Sequence, residues 1–220
     1  MGAVKTPFRA MWITQARPAA AYSRLSCARR SDRLARCTAV TIEMARISLI
    51  DEAEHPELAE TVGKIRGARG GRLLNFYRAL LHAPGLASAW LDFNDAVRYQ
   101  TGLGDRVREL IILRVAALNG ADYVFDIHRS RYAEPAGVTR VEVEALRDWR
   151  KSGMFGLEES ALLAYVDAMT RDVAVPDAVF KGLRAHFSER AVVELTVLVA
   201  AYNMHTRVLK ALDIDAERDT

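Results

Sequence analysis

The chain has 220 residues, half of them apolar, and its 31 Lys and Arg residues against 28 Asp and Glu residues give a formal charge of +3. Such a chain is long enough to bury a sizeable core, and it has no apolar run of the length that spans a membrane. Residues 1–43 carry +6, so the rest of the chain carries −3. This distribution argues against nucleic-acid binding, and the composition favours a soluble globular protein.

The basic leader, residues 1–43, is rich in Arg, Ala and Ser, and it contains both cysteines, Cys27 and Cys37. Their spacing fits neither a CxxC motif nor a zinc motif. The leader is an organellar transit peptide, a disordered basic tail, or translated sequence upstream of a start at Met44, and we favour the last. We therefore expect a cytoplasmic protein, or a mitochondrial matrix protein if the leader is a transit peptide.

Nine helical patterns follow Met44, and no window alternates as a β-strand does, which predicts an all-α bundle of about eight to nine helices. The first four segments span residues 55–67, 72–83, 86–100 and 105–120. Glycines end the first, Pro84 ends the second, Gly102 follows the third, and Gly120 gives the fourth a C-terminal signal.

The remaining five helical segments span residues 121–134, 140–152, 157–172, 176–187 and 189–212. Thr139 precedes the segment at 140, and Glu142 three residues later completes the pattern of a capping box. Ser188 is placed to cap the last segment in the same way.

Glu109 lies in the run ELIILRVAAL, which is apolar nearly all round and is therefore expected in the centre of the bundle. A carboxylate there needs a partner or a cavity, because an unpaired buried charge is costly. Two interpretations remain open, a structural ion pair with Arg106 or another arginine, and a carboxylate that lines a pocket.

His128 shares one helix face with four residues that lie three, four or seven positions from it, namely Ala121, Val124, Phe125 and Tyr132. It is either a hydrogen-bonded core histidine or a catalytic group. Two antiparallel helices joined by a short turn would bring Glu109 close to it, and a carboxylate fixes the tautomer of a histidine and raises its basicity. The histidines show no ligand spacing, so no metal site is predicted.

The stretch RELIILRVAALNGADYVFDIH resembles the signature of the carboxymuconolactone decarboxylase family, which shares its fold with alkylhydroperoxidase D. The resemblance extends over nearly all of residues 44–220. It implies that this region is one helical domain of the alkylhydroperoxidase D type, assembled as a homotrimer or homohexamer. Its ligand would be a small anionic organic molecule.

The peroxidase branch of this family has a Glu, a CxxC motif and a His, and the same steps from Glu109 arrive at Ala121, Val124 and His128. Both thiols are absent, and neither alanine nor valine can replace a nucleophilic thiolate, which disfavours a thiol peroxidase. The resemblance to the cysteine-free branch, which includes a decarboxylase of protocatechuate breakdown, implies a carboxy-lyase or isomerase that needs no metal or organic cofactor. Its substrate would be a small carboxylated lactone or a related acid.

In such an enzyme His128 would donate a proton to carbon and Glu109 would orient it. Residue type alone suggests Arg114 or Arg129 for binding a substrate carboxylate. Likewise, Tyr123 or Tyr132 could donate a hydrogen bond to the oxyanion. Two alternatives are an antioxidant of the peroxiredoxin type, by family membership, and an oligomeric protein that binds a small molecule without catalysis.

Overall fold

The computed structural model describes residues 45–217, which form helices and connecting loops with no β-strand among them. The all-α prediction is thereby confirmed. The interpretations of residues 1–43 concern a segment outside the described residues. Within the described part, no helix has both the length and the apolar character needed to cross a membrane.

Ten α-helices are present between residues 45 and 217, and short 3-10 turns lie at Glu52–Glu54, Pro56–Leu58 and Leu146–Asp148. The α-helices are α1 (Ala59–Ala68), α2 (Asn75–Leu80), α3 (Pro84–Tyr99), α4 (Asp105–Asn119), α5 (Asp122–Arg131), α6 (Arg140–Ala145), α7 (Trp149–Ser152), α8 (Leu157–Arg171), α9 (Asp177–Arg184) and α10 (Glu189–Leu212).

Two predicted segments differ from the observed helices. The segment at 72–83 forms only the six residues of α2, and Pro84 opens α3, because proline is tolerated in a first helical turn, where its missing N–H is not needed. The segment at 140–152 divides into α6, a 3-10 turn and α7.

The predicted helix caps are confirmed. The hydroxyl of Thr139 accepts from the backbone N–H of Glu142, whose carboxylate accepts from the backbone N–H of Thr139. The hydroxyl of Ser188 accepts from the N–H of Ala191 at 3.2 Å. Each cap satisfies N–H groups that have no partner within the helix.

Helix α4 occupies the centre of the fold and packs against α5, α8 and α10. Its residues from Leu110 to Leu113 are fully buried, as expected of a helix that is apolar on all sides. Gly120 ends α4 in the left-handed conformation, with φ of 60°, and the N–H of Ala121 donates to Ala116 at 2.9 Å. This turn sends α5 back along α4.

Candidate active site

Glu109 on α4 and His128 on α5 are hydrogen-bonded in the interior of the protein. The distance from Oε2 of Glu109 to Nδ1 of His128 is 2.6 Å, and the two residues are only 3% and 5% exposed. Glu109 lies near the start of α4 and His128 near the end of α5, so the reversal at Gly120 brings them side by side. Arg98 of α3 is the nearest cation to the carboxylate, at 3.9 Å.

The surroundings of His128 favour a neutral imidazole with a defined tautomer. Burial lowers the pKa of His128, while the hydrogen bond and negative charge of Glu109 act in the opposite direction without outweighing it. With Nδ1–H donating to the carboxylate, the lone pair is assigned to Nε2. The hydroxyl of Tyr202 on α10 lies 3.5 Å from Nε2. Burial also raises the pKa of Tyr202, so its hydroxyl keeps its proton.

His128 and Tyr202 line an inner cavity of about 80 Å³. Aromatic and aliphatic side chains form most of its wall, and Arg69, Arg98 and Asn94 are the polar residues on the α1 and α3 side. A water takes about 30 Å³ of liquid volume, so the cavity has room for roughly two to three waters. A small organic molecule could therefore reach the imidazole.

An outer cleft of about 500 Å³ adjoins this inner cavity. The two spaces share five lining residues, Arg69, Leu74, Arg98, Ile127 and Tyr132. The outer cleft also carries the charged side chains of Arg72, Asp126, Arg131 and Glu217. The charged outer cleft therefore borders the cavity that His128 lines.

His205 contributes a second imidazole to the wall of the inner cavity. Its ring packs against Phe76 at 4.3 Å and against Trp90 and Tyr202 at 5.9 Å, between ring centroids. Burial lowers the pKa of His205 to about 3, so this residue is neutral near pH 7. The inner cavity therefore has a neutral aromatic wall on this side.

The two tyrosines predicted from residue type both lie at the cavity. Tyr132 packs its ring 5.0 Å from the ring of His128 and lines both spaces. Tyr123 lines the inner cavity, but its hydroxyl donates to Oε1 of Glu217 at 2.9 Å. The hydroxyl of Tyr123 is therefore already engaged with the C-terminal segment.

The two arginines predicted from residue type lie elsewhere, and a different arginine lines the inner cavity. Arg114 is buried and donates to both carboxylate oxygens of Asp167, at 2.6 and 3.0 Å, so its guanidinium links α4 to α8. Arg129 is exposed and pairs with Asp126 and Glu144. Neither lines the inner cavity, whereas Arg98 does.

A sequence signal for Arg98 exists. Ala87, Leu91, Asn94 and Arg98 recur at intervals of four, three and four residues, so two polar residues share the apolar face of α3. Polar residues on a buried face need a partner or a cavity. Tyr202 and His205 gave no comparable signal, because aromatic residues are ordinary members of a buried helix face.

The positions that would carry a CxxC motif border the same site. Ala121 and Val124 are both buried, and Val124 lines the inner cavity beside His128. Both cysteines of the chain precede residue 45, so the described residues contain none. Between residues 45 and 217, no three His, Cys, Asp or Glu side chains cluster as metal ligands do.

The helical bundle agrees with what sequence comparison finds. The profile of the carboxymuconolactone decarboxylase family matches residues 84–168, which span α3 to most of α8. The uncharacterized protein YnjA of Escherichia coli is 33% identical over 129 residues, covering 58% of this chain and 68% of that protein. The chain belongs to the carboxymuconolactone decarboxylase family.

Further comparisons give another sequence relative and two solved structures with a similar fold. The uncharacterized protein YdfG of Bacillus subtilis is 29% identical over 115 residues, 51% of this chain and 78% of that protein. A crystal structure of a protein of unknown function from Agrobacterium tumefaciens, provisionally named an antioxidant defence protein AhpD, is 29% identical with a TM-score of 0.60, covering 64% of this chain and 97% of that one. The debrominase Bmp8 is 20% identical with a TM-score of 0.65, over 78% of this chain and 91% of its own.

Proposed function

We propose that the protein is a cofactor-independent acid–base enzyme, a carboxy-lyase or isomerase that acts on a small carboxylated lactone or a related unsaturated acid. The observation that carries the proposal is the 2.6 Å hydrogen bond from Nδ1 of His128 to Glu109. His128 also lines the inner cavity. A carboxylate in this position stabilises the imidazolium that forms when Nε2 takes a proton.

In the lyase form of the reaction, the bond between the substrate carbon and its carboxylate breaks and CO₂ leaves. The electron pair delocalises into the conjugated carbonyl group, whose oxygen becomes negative. His128 first takes a proton from solvent at Nε2, the imidazolium then donates that proton to carbon, and His128 returns to its neutral form. Tyr202, which keeps its proton, can donate a hydrogen bond to the oxyanion.

The isomerase form uses the same groups without loss of CO₂. Neutral His128 removes a proton from the carbon next to the carbonyl group, and the resulting imidazolium returns it to another carbon of the conjugated system. Lowering of the pKa of His128 by burial suits this role, because the base is then unprotonated at neutral pH.

The test is turnover by the full chain on a panel of unsaturated lactones, carboxylated lactones and β-keto acids, followed by CO₂ release and by NMR. His128→Gln should lower kcat by about a hundredfold or more, the usual range for loss of an acid–base group. His186→Gln is the matched control, because His186 is exposed and lies away from the cavity. If His128→Gln turns over substrate as the wild type does, the proposal is wrong.

An antioxidant function of the peroxiredoxin type rests on the name of the Agrobacterium relative. In this chain such a function would need Cys27 or Cys37, because the chain has no other thiol. The double variant Cys27→Ser/Cys37→Ser therefore separates the two proposals. Peroxide consumption by the wild type that the double variant loses would favour the antioxidant function over the lyase.

We also propose that the protein self-associates, as a homotrimer or homohexamer, through the outer face of α10. Val193, Val197, Ala200 and Met204 recur at intervals of four, three and four residues on the face opposite the buried one, and Val193 is 62% exposed. An apolar seam with this spacing is the pattern by which helices pack together, and it leaves apolar area uncovered in a single chain.

A further inference from the structure

Arg98 is a buried cation without a hydrogen-bonding partner among residues 45–217. It is only 8% exposed, and its Nε has no acceptor. The nearest carboxylate oxygen, Oε1 of Glu109, lies 3.9 Å away, beyond hydrogen-bonding distance, and that carboxylate already accepts from His128. Buried donors are normally satisfied, so the unsatisfied Nε of Arg98 needs an explanation.

The contacts of Arg98 hold its charge in place and leave its donors free. The guanidinium carbon lies 4.8 Å from the ring centroids of both Tyr99 and Tyr132, on α3 and at the end of α5. Such contacts stabilise a cation through the faces of the rings and do not use its N–H groups. The planar fork of an arginine is matched to the two oxygens of a carboxylate.

The neighbouring arginine at the same boundary is already neutralised. Arg69 pairs with Asp95 at 2.8 Å and donates to the hydroxyl of Tyr77 at 3.0 Å. Arg69 and Arg98 both line the outer cleft and the inner cavity. Of these two cations at the passage between the spaces, Arg98 therefore has donors to offer to an incoming anion.

We propose that Arg98 is the anion receptor of the site, and that the ligand is a small flat monocarboxylate whose body occupies the inner cavity. The carboxylate would lie on the guanidinium between Tyr99 and Tyr132, and the body would extend toward His128. A cavity of about 80 Å³ limits that body to one small ring or a short unsaturated chain. The aromatic wall of Phe76, Tyr202 and His205 suits a flat shape.

This placement constrains the reaction. A carboxylate held by Arg98 is stabilised before the reaction, and losing it as CO₂ would forfeit that stabilisation in the transition state. The group bound by Arg98 therefore remains on the product, so a monocarboxylate held in this way would undergo the isomerase form of the proposed reaction, at the end of the molecule next to His128. In this respect the inference rests on the proposed function, since the ligand is taken to be the substrate.

Benzoate is the probe for the test, because it has one flat ring and one carboxylate, and benzamide is its neutral analogue. Isothermal titration calorimetry of the full chain should detect the binding of benzoate. Benzamide should bind at least about tenfold more weakly, as expected when a charged hydrogen bond is lost. The affinity for benzoate should fall by about tenfold or more in Arg98→Gln. It should fall by less in Arg98→Lys, because lysine keeps the positive charge.

A matched variant makes the test specific. Arg72→Gln removes a cation of the outer cleft and should bind benzoate within about twofold of the wild type. Benzoate binding is measured without turnover, so a failure of the proposed chemistry leaves this result intact. Circular dichroism establishes that each variant is folded, and if Arg98→Gln is not, Arg98→Lys and the benzamide comparison decide.

The inference is overturned if the wild type does not bind benzoate at concentrations up to about 10 mM. It is equally overturned if benzamide binds as tightly as benzoate, or if folded Arg98→Gln binds benzoate as the wild type does. The third contrary outcome is that Arg72→Gln lowers the affinity for benzoate as much as Arg98→Gln does.

Discussion

Two buried arginines of this protein have opposite surroundings. Arg114 is held by both oxygens of Asp167, and Asp167 also accepts from Trp149 at 3.2 Å and from Arg150 at 2.5 Å. Arg98 has aromatic faces around it, and its Nε has no hydrogen-bond acceptor within the described residues. A satisfied charge of the first kind maintains the fold, whereas a buried charge with free donors is available to a ligand.

Asp167→Ala should destabilise the protein strongly, by about 3–5 kcal/mol, because it leaves the guanidinium of Arg114 buried without its carboxylate. Burial alone raises the pKa of Asp167, but the hydrogen bonds from Arg114 and Arg150 outweigh it and lower that pKa. Urea unfolding measures the change. Glu144→Ala, which removes an exposed partner of Arg129, should cost about 1 kcal/mol or less. Equal effects of the two changes would contradict this account.

His205 should make the folded protein sensitive to mild acid. Its pKa is lowered by burial from 6.5 to about 3, so as the pH falls below 6.5 the unfolded chain takes up a proton that the folded chain does not. Stability is therefore lost between pH 6.5 and 3, by roughly 1–3 kcal/mol by pH 4, since one pKa unit corresponds to about 1.4 kcal/mol.

Unfolding free energies of the wild type and His205→Phe, measured at pH 7 and pH 4, test this expectation. Between pH 7 and pH 4, His205→Phe should lose less unfolding free energy than the wild type. His186→Gln, at an exposed site, should lose as much as the wild type does. An unchanged pH dependence in His205→Phe would show that another group is responsible. His128 contributes in the same direction, because burial lowers its pKa as well.

At the scale of the elements, the turn between α4 and α5 determines how Glu109 meets His128. The sequence predicted this hairpin well, because the apolar run of α4, the Asn-Gly turn and the apolar face of α5 are local signals. It predicted α2 and the segment at 140–152 less well, since their lengths depend on tertiary packing. Local periodicity does not encode where packing interrupts a helix.

Gly120→Ala should lower the unfolding free energy by about 1 kcal/mol, because a φ of 60° is unfavourable for a residue with a Cβ. Gly63→Ala is the matched control. Gly63 is exposed inside α1, and a Cβ there meets nothing within 4 Å. The same substitution should therefore raise stability at that position, by about 0.5–1 kcal/mol. Thermal unfolding should show a lower Tm for Gly120→Ala and a higher Tm for Gly63→Ala. Identical Tm shifts in the two variants would contradict this account.

At the scale of the whole molecule, α10 has more apolar surface than one chain covers. Its inner face contributes Leu195, Leu198 and Tyr202 to the core, while its outer face remains exposed. Val197→Glu should therefore shift the protein to a smaller species in size-exclusion chromatography with light scattering, whereas Ala185→Glu, at an exposed position after α9, should not. A wild type that is already monomeric would refute the proposed assembly.

The candidate site was only partly predictable from the sequence. Glu109 and His128 stood out because a carboxylate and an imidazole interrupt apolar helix faces. The partners contributed by α3 and α10 are distant in the chain, and no local pattern says which helices pack against α4. For the same reason Arg114 and Arg98 could not be distinguished in advance, since the difference depends on whether Asp167 is close.

The central claim is that Glu109 and His128 act as one acid–base unit. Its most direct test is a double-mutant cycle on kcat with the substrate found in the panel, using Glu109→Gln, His128→Gln and the double variant. If the two act together, the double variant loses no more activity than His128→Gln alone. Independent, multiplying losses, or activity that survives in His128→Gln, would contradict the account.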